Sequence, residues 1–178
     1  MKITAFIFFF GIFLSHAYTQ NITATTPARL RVYASKPDGT QAVTTSENLY
    51  VGYDQLKMTG QLLLSTLVTD DETLRNLLDS ALFDKITFSG MIPEGQFAFK
   101  SMLNATFSVE TDLFYDDRQS KILIDFDVSN HNTSLANTFD ITCIGSISLL
   151  DDLGITRDTG LDDKVSFQFF QNVIARTY

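Results

Sequence analysis

The sequence predicts an all-β protein of about eight antiparallel strands with one short helix inserted among them, closed as a barrel or packed as two sheets. Three observations carry this. Apolar and polar residues alternate over long stretches of the second half of the chain, turn-forming clusters separate those stretches, and a single segment switches to helical spacing.

The chain has 178 residues, 44% of them hydrophobic and 19% charged, a balance that fits one globular domain and not a disordered chain. Its formal net charge is −8, which repels nucleic-acid phosphates and anionic lipid head groups, so neither is an expected partner. Residues 1–17 read as a secretory signal: Met1-Lys2, an apolar run over 3–14, then Ser15-His16-Ala17 with small residues at the −3 and −1 positions of a cut after Ala17. That run falls short of the roughly 20 residues a membrane-spanning helix needs. No later run is long or apolar enough, so no stable membrane insertion of the mature chain is expected, and the predicted location is periplasmic or secreted. Residues 18–28, rich in Thr and Ala and containing Pro27, read as a flexible leader, and 29–178 as one domain without linker or repeat.

Within that domain the early segments 29–34, 48–53 and 58–68 are plausible strands, and 85–92 is a clearer one, with Ile86, Phe88 and Ile92 on one side. In 96–109 the odd positions Phe97, Phe99, Leu103, Phe107 and Val109 face away from Gln96, Lys100, Asn104 and Ser108. The pattern repeats in 121–129 (Ile122, Ile124, Phe126, Val128), in 138–150 (Phe139, Ile141, Cys143, Ile147, Leu149) and in 164–175 (Val165, Phe167, Phe169, Val173). Pro37-Asp38-Gly39, Pro93-Glu94-Gly95 and Tyr115-Asp116-Asp117-Arg118 supply turns. Between the early strands, Asp70-Asp71-Glu72 opens a stripe of Leu74, Leu77, Leu78, Ala81 and Leu82 at spacings of three and four, which predicts a short amphipathic helix. Long strands apolar on one face must bury that face, and closing the sheet removes exposed edges. Eight strands enclose an interior that side chains fill or that holds one small ligand.

Few residues are suited to catalysis. Beyond the signal the single histidine, His131, lies in the polar stretch Ser129-Asn130-His131-Asn132 and reads as an exposed turn residue. One His and one Cys do not make a zinc site, and Cys143, in an apolar strand, reads as a small buried hydrophobe. The pairs Asp70-Asp71, Asp116-Asp117, Asp151-Asp152 and Asp162-Asp163 read as helix starts and loop formers. The run from Asp158 through Gly160 to Asp163 lacks the spacing of a calcium loop. Asn21, Asn104 and Asn132 each open a glycosylation acceptor triplet, read as chance matches. The expectation is a protein that is not an enzyme and holds no metal or cofactor.

Two segments carry a family resemblance. Residues 75–88, RNLLDSALFDKITF, resemble the stretch of the YceI-like family in which an Arg leads through a short Leu-containing helix and a Phe-Asp pair into an I-T-F strand. Leu149-Leu150-Asp151-Asp152-Leu153-Gly154-Ile155 resembles that family's Gly-Ile turn before its final strand. The chain is identified as a divergent member: the usual Asp-x-x-His-Ser opening is absent, and 114–122 read FYDDRQSKI where the family has a His-Gly turn. The resemblance implies a lipocalin-like barrel, exported, that binds a long apolar ligand: a polyisoprenoid, quinone-type or acyl chain. On packing alone, Phe88, Phe97, Phe99, Phe107, Phe126, Phe139, Phe167 and Phe169 fill a core. The resemblance implies instead that these rings line the ligand cavity, where rigid side chains lose little rotamer freedom on binding. The competing expectation is a barrel or sandwich with a filled core that serves structure or interaction, and a hydrolase ranks last.

Overall fold

The computed structural model describes residues 21–24, 27–54, 56–81, 84–93, 104–132 and 137–176. The expected signal segment, Phe97 and Phe99 lie outside them.

Of the segment expected over 96–109, residues 96–103 lie outside the described residues; the alternating segments become strands wherever they are described. In chain order they are β1 (Asn21–Ala24), β2 (Ala28–Ser35), β3 (Gln41–Asp54), β4 (Lys57–Leu63), β5 (Lys85–Met91), β6 (Asn104–Tyr115), β7 (Arg118–Asn132), β8 (Asn137–Ser148) and β9 (Lys164–Arg176), with one helix, α1 (Glu72–Asp79), between β4 and β5. From β2 to β9 each strand pairs antiparallel with the next, and β9 returns to pair with β2. Phe169 thus faces Cys143 on one side and Leu30 on the other. The result is a closed eight-stranded lipocalin-like barrel in which β1 continues the line of β2 along β9. Five residues of the expected leader, 21–24 and Ala28, therefore pair as strand.

Side-chain alternation decides which residues enter the interior. On β7 Ile122, Ile124, Phe126 and Val128 are buried while Lys121, Leu123, Asp125 and Asp127 are exposed. The β6–β7 connection is the two-residue turn Asp116-Asp117, with Asp116 at φ 57°, a left-handed conformation that Asp tolerates and tight hairpins demand.

Two strands depart from expectation. β3 begins at Gln41, well before the predicted start at 48. Its first half turns Ala42, Thr44 and Ser46 inward, so no apolar alternation announces it. The Thr44 hydroxyl donates to the Val68 carbonyl at 2.9 Å, and Ser46 Oγ lies 2.8 Å from Thr66 Oγ1, so the segment after β4 satisfies the buried hydroxyls. An irregularity where Ala28 and Leu30 meet β3 then shifts the phase, and Leu49, Val51 and Tyr53 point in. β4 ends at Leu63, earlier than predicted, because Leu64–Thr66 form a single 3-10 turn whose Leu64 and Leu67 lean over the barrel end.

The core is divided along the barrel. One half is packed with Tyr53, Met58, Phe107, Val109, Phe126, Val128, Phe139, Ile141, Cys143 and Val173. The Phe107 and Phe126 rings are cross-strand partners stacked at 5.0 Å and 6°. The other half, under α1, is hollow.

Candidate functional site

The hollow half is a cavity of about 480 Å³. Its walls come from nearly every strand: Leu30 and Val32, Leu49, Leu62, Ile86, Leu113 and Tyr115, Ile122 and Ile124, Ile147, Val165 and Phe167. The roof comes from the two segments that carry the resemblance. α1 contributes Leu74, Leu77 and Leu78, followed by Ala81, and the loop before β9 contributes Leu149, Leu153, Ile155 and Leu161.

Local chemistry fixes each roof element. Asp71 caps α1, its Oδ1 accepting from the Leu74 amide at 3.1 Å while Oδ2 accepts from Lys36 Nζ at 2.6 Å. The ammonium, and next the Leu74 amide, hold the Asp71 carboxyl below the usual carboxylate range. In the second segment, Asp163 accepts from Ser148 Oγ at 2.7 Å and from the Leu150 amide at 2.8 Å, bonds that lower its pKa. Asp152 accepts from the Ser148 amide at 2.7 Å, and the Ile155 amide returns to the Leu149 carbonyl at 2.8 Å, closing a turn that aims Leu149, Leu153 and Ile155 inward. Gly154 sits in this turn at φ 70°, and a Cβ there would lie 2.1 Å from Arg118 Nε. The two roof elements are joined at the rim where the Arg157 guanidinium donates to Ser80 Oγ. Arg118 and Asp116 complete the polar rim, where desolvation, and next Asp117, raise the Asp116 pKa.

The floor is aromatic. Phe88, Phe167 and Phe169 line the cavity, with Phe88 and Phe169 centroids 6.3 Å apart. Two glycines make room for these rings. A Cβ on Gly60, opposite Phe88, would lie 1.9 Å from that ring's Cζ, and one on Gly145, opposite Phe167, 2.4 Å from its Cζ. Each ring occupies space that a β4 or β8 side chain would fill.

The structure thus divides the phenylalanines that sequence reasoning grouped together. Phe88, Phe167 and Phe169 face the cavity, whereas Phe107, Phe126 and Phe139 pack beneath it and do not line it. Most of the lining is Leu and Ile; sequence reasoning reads Ile86, Ile122, Ile124, Ile147 and Leu149 as inward-facing but singles out only the phenylalanines as ligand-binding. The signal that points to it is the α1 stripe itself, since a lone apolar helix face in an all-β chain must cover the end of the barrel.

Groups considered for chemistry lie elsewhere. His131 is in β7, not in a turn, with Nε2 2.8 Å from Asp140 Oδ2, and Asp140 also accepts from Asn172 Nδ2 at 2.6 Å. This cluster is at the packed end of the barrel. Cys143 is fully buried, and burial pushes its thiol well up, away from the reactive thiolate. Among the described residues no three His, Cys, Asp or Glu side chains gather to hold a metal.

No protein-family model matches the chain, and no curated protein does. Solved structures do. A polyisoprenoid binding domain from Saccharophagus degradans, implicated in plant cell wall breakdown, superposes with a TM-score of 0.67 over 89% of this chain and 99% of that one, at 12% identity. Burkholderia cenocepacia BcnA superposes with a TM-score of 0.52 over 84% of this chain and 96% of its own, at 13% identity. At these identities the likeness is one of fold.

Proposed function

We propose that the chain is a divergent member of the YceI-like family, an exported binding protein without catalytic activity that sequesters or carries a long apolar molecule, a polyisoprenoid or similar chain, inside its barrel. One observation carries this reading: an apolar cavity of about 480 Å³ stands open between a packed half-barrel and an amphipathic helix. A barrel evolved only for structure gains from filling such a space, because an unfilled cavity forfeits dispersion contacts and costs stability. The cavity is lined mostly by Leu, Ile and Phe, and its charged groups are Asp116, Arg118 and Arg157. Burial of each methylene contributes about 0.8 kcal/mol, so affinity requires no charged partner inside. The polyisoprenoid binding domain that shares the fold supports the same class of ligand.

The test is organic extraction of the natively purified protein followed by mass spectrometry. The expected result is one equivalent of an apolar chain. A protein free of lipid that also fails to bind a fluorescent fatty-acid probe would refute the reading.

A further inference from the structure

The cavity stops half-way down the barrel, and what stops it is specific. Phe88, Phe167 and Phe169 form its floor. Phe126 and Phe139 are at most 1% exposed and line no part of the cavity, and Phe126 stacks on Phe107 across β6 and β7. Gly60 and Gly145 leave the space that the Phe88 and Phe167 rings occupy. Depth is therefore set by a few positions.

A methylene is close to a water molecule in size, and water's share of its liquid is about 30 Å³. We infer that the barrel measures its ligand, accommodating a chain of about sixteen carbons (three isoprene units or a sixteen-carbon acyl chain) whose tip meets the Phe88–Phe167–Phe169 floor, and leaving any further length outside the rim. This rests on the chain-binding reading proposed above and adds the length class to it. Carbons beyond that number stay in water past the Arg157–Ser80 contact and add nothing to affinity.

The inference is tested with straight-chain primary alcohols of ten to twenty-two carbons and with prenols of three, four and eight units, all competing against a fluorescent fatty-acid probe. Affinity is expected to tighten about fourfold for each added methylene up to about sixteen carbons and then level off. The eight-unit prenol should bind no tighter than the three-unit one. Phe167→Ala, which deepens the floor, should move the break to longer chains. Gly145→Ala, which drives the Phe167 ring into the lumen, should move it to shorter ones. Should either variant fail to fold, the break in the wild-type series decides alone. Affinity that climbs without a break through twenty-two carbons, or an eight-unit prenol bound a hundredfold tighter than the three-unit one, overturns the length limit and leaves chain binding standing. Binding of no alcohol or prenol of any length overturns both.

Discussion

The two halves of the barrel are built from the same strands with the same inward alternation, yet one is solid and the other hollow. β9 shows the contrast within a single strand: Val165, Phe167 and Phe169 line the cavity, while Gln171 and Val173 lie outside its lining and are at most 1% exposed. Period-two patterning places a side chain inside the barrel but does not say whether anything stands opposite it. In the packed half, the Phe107 and Phe126 rings stack on neighbouring strands among other buried side chains. In the hollow half, rings lie over Gly60 and Gly145, and aliphatic residues of α1 and of the Gly154 turn roof the remaining space. Hollowness is thus a property of what faces a residue, which is fixed by glycines and loops.

Substitutions should separate the halves, and the largest effect belongs to the packed one. Phe126→Ala should cost about 3–5 kcal/mol in denaturant unfolding, because the ring is 1% exposed and its Phe107 partner cannot follow it. A loss below 1 kcal/mol would mean that this half is not solid. Gly60→Ala should cost about 1–3 kcal/mol through overpacking and should weaken ligand binding more than it weakens the fold, since the displaced Phe88 ring enters the cavity; melting and probe displacement measured together would show it.

At the roof, Asp71→Ala removes the α1 cap and should cost about 1 kcal/mol. The same carboxyl gives a pH signature. Its pKa is lowered in the folded state, so the fold binds that proton less readily than the unfolded chain does. The stabilisation is therefore complete above the unfolded value of 3.8 and disappears as pH falls through the lowered folded value. Thermal melts should show wild type losing its advantage over Asp71→Asn in that acid window, and parallel curves would exclude the linkage. The smallest effect on folding is expected for Leu77→Ala, about 1 kcal/mol or less because the residue is half-buried, combined with roughly tenfold weaker binding.

The contrast also explains what the sequence made legible. β7 was readable because Ile122, Ile124, Phe126 and Val128 alternate with charges, and α1 because Asp71 precedes a clean stripe. The first half of β3 was hidden because its inward Thr44 and Ser46 are satisfied by residues 66 and 68, a tertiary fact without local signature. At the site, Phe88, Phe167 and Phe169 were legible as inward rings, but nothing in their spacing distinguishes them from Phe107, Phe126 and Phe139. Ile86, Ile122, Ile124, Ile147 and Leu149 were legible as inward-facing, but that they gather with α1 and the Gly154 turn around one cavity was not, because they come from many elements and meet only after closure.

Closure has a kinetic corollary. β9 is bonded to β2, some 130 residues earlier in the chain, as well as to its neighbour β8, so the ring of strands is completed by its last member. Until β9 docks, the other strands form an open sheet with two bare edges, and the compartment lacks Val165, Phe167 and Phe169. Such distant pairing is slow, in the millisecond-to-second range typical of high contact order. The chain therefore encloses its cavity abruptly, in the same step that removes its most aggregation-prone surfaces.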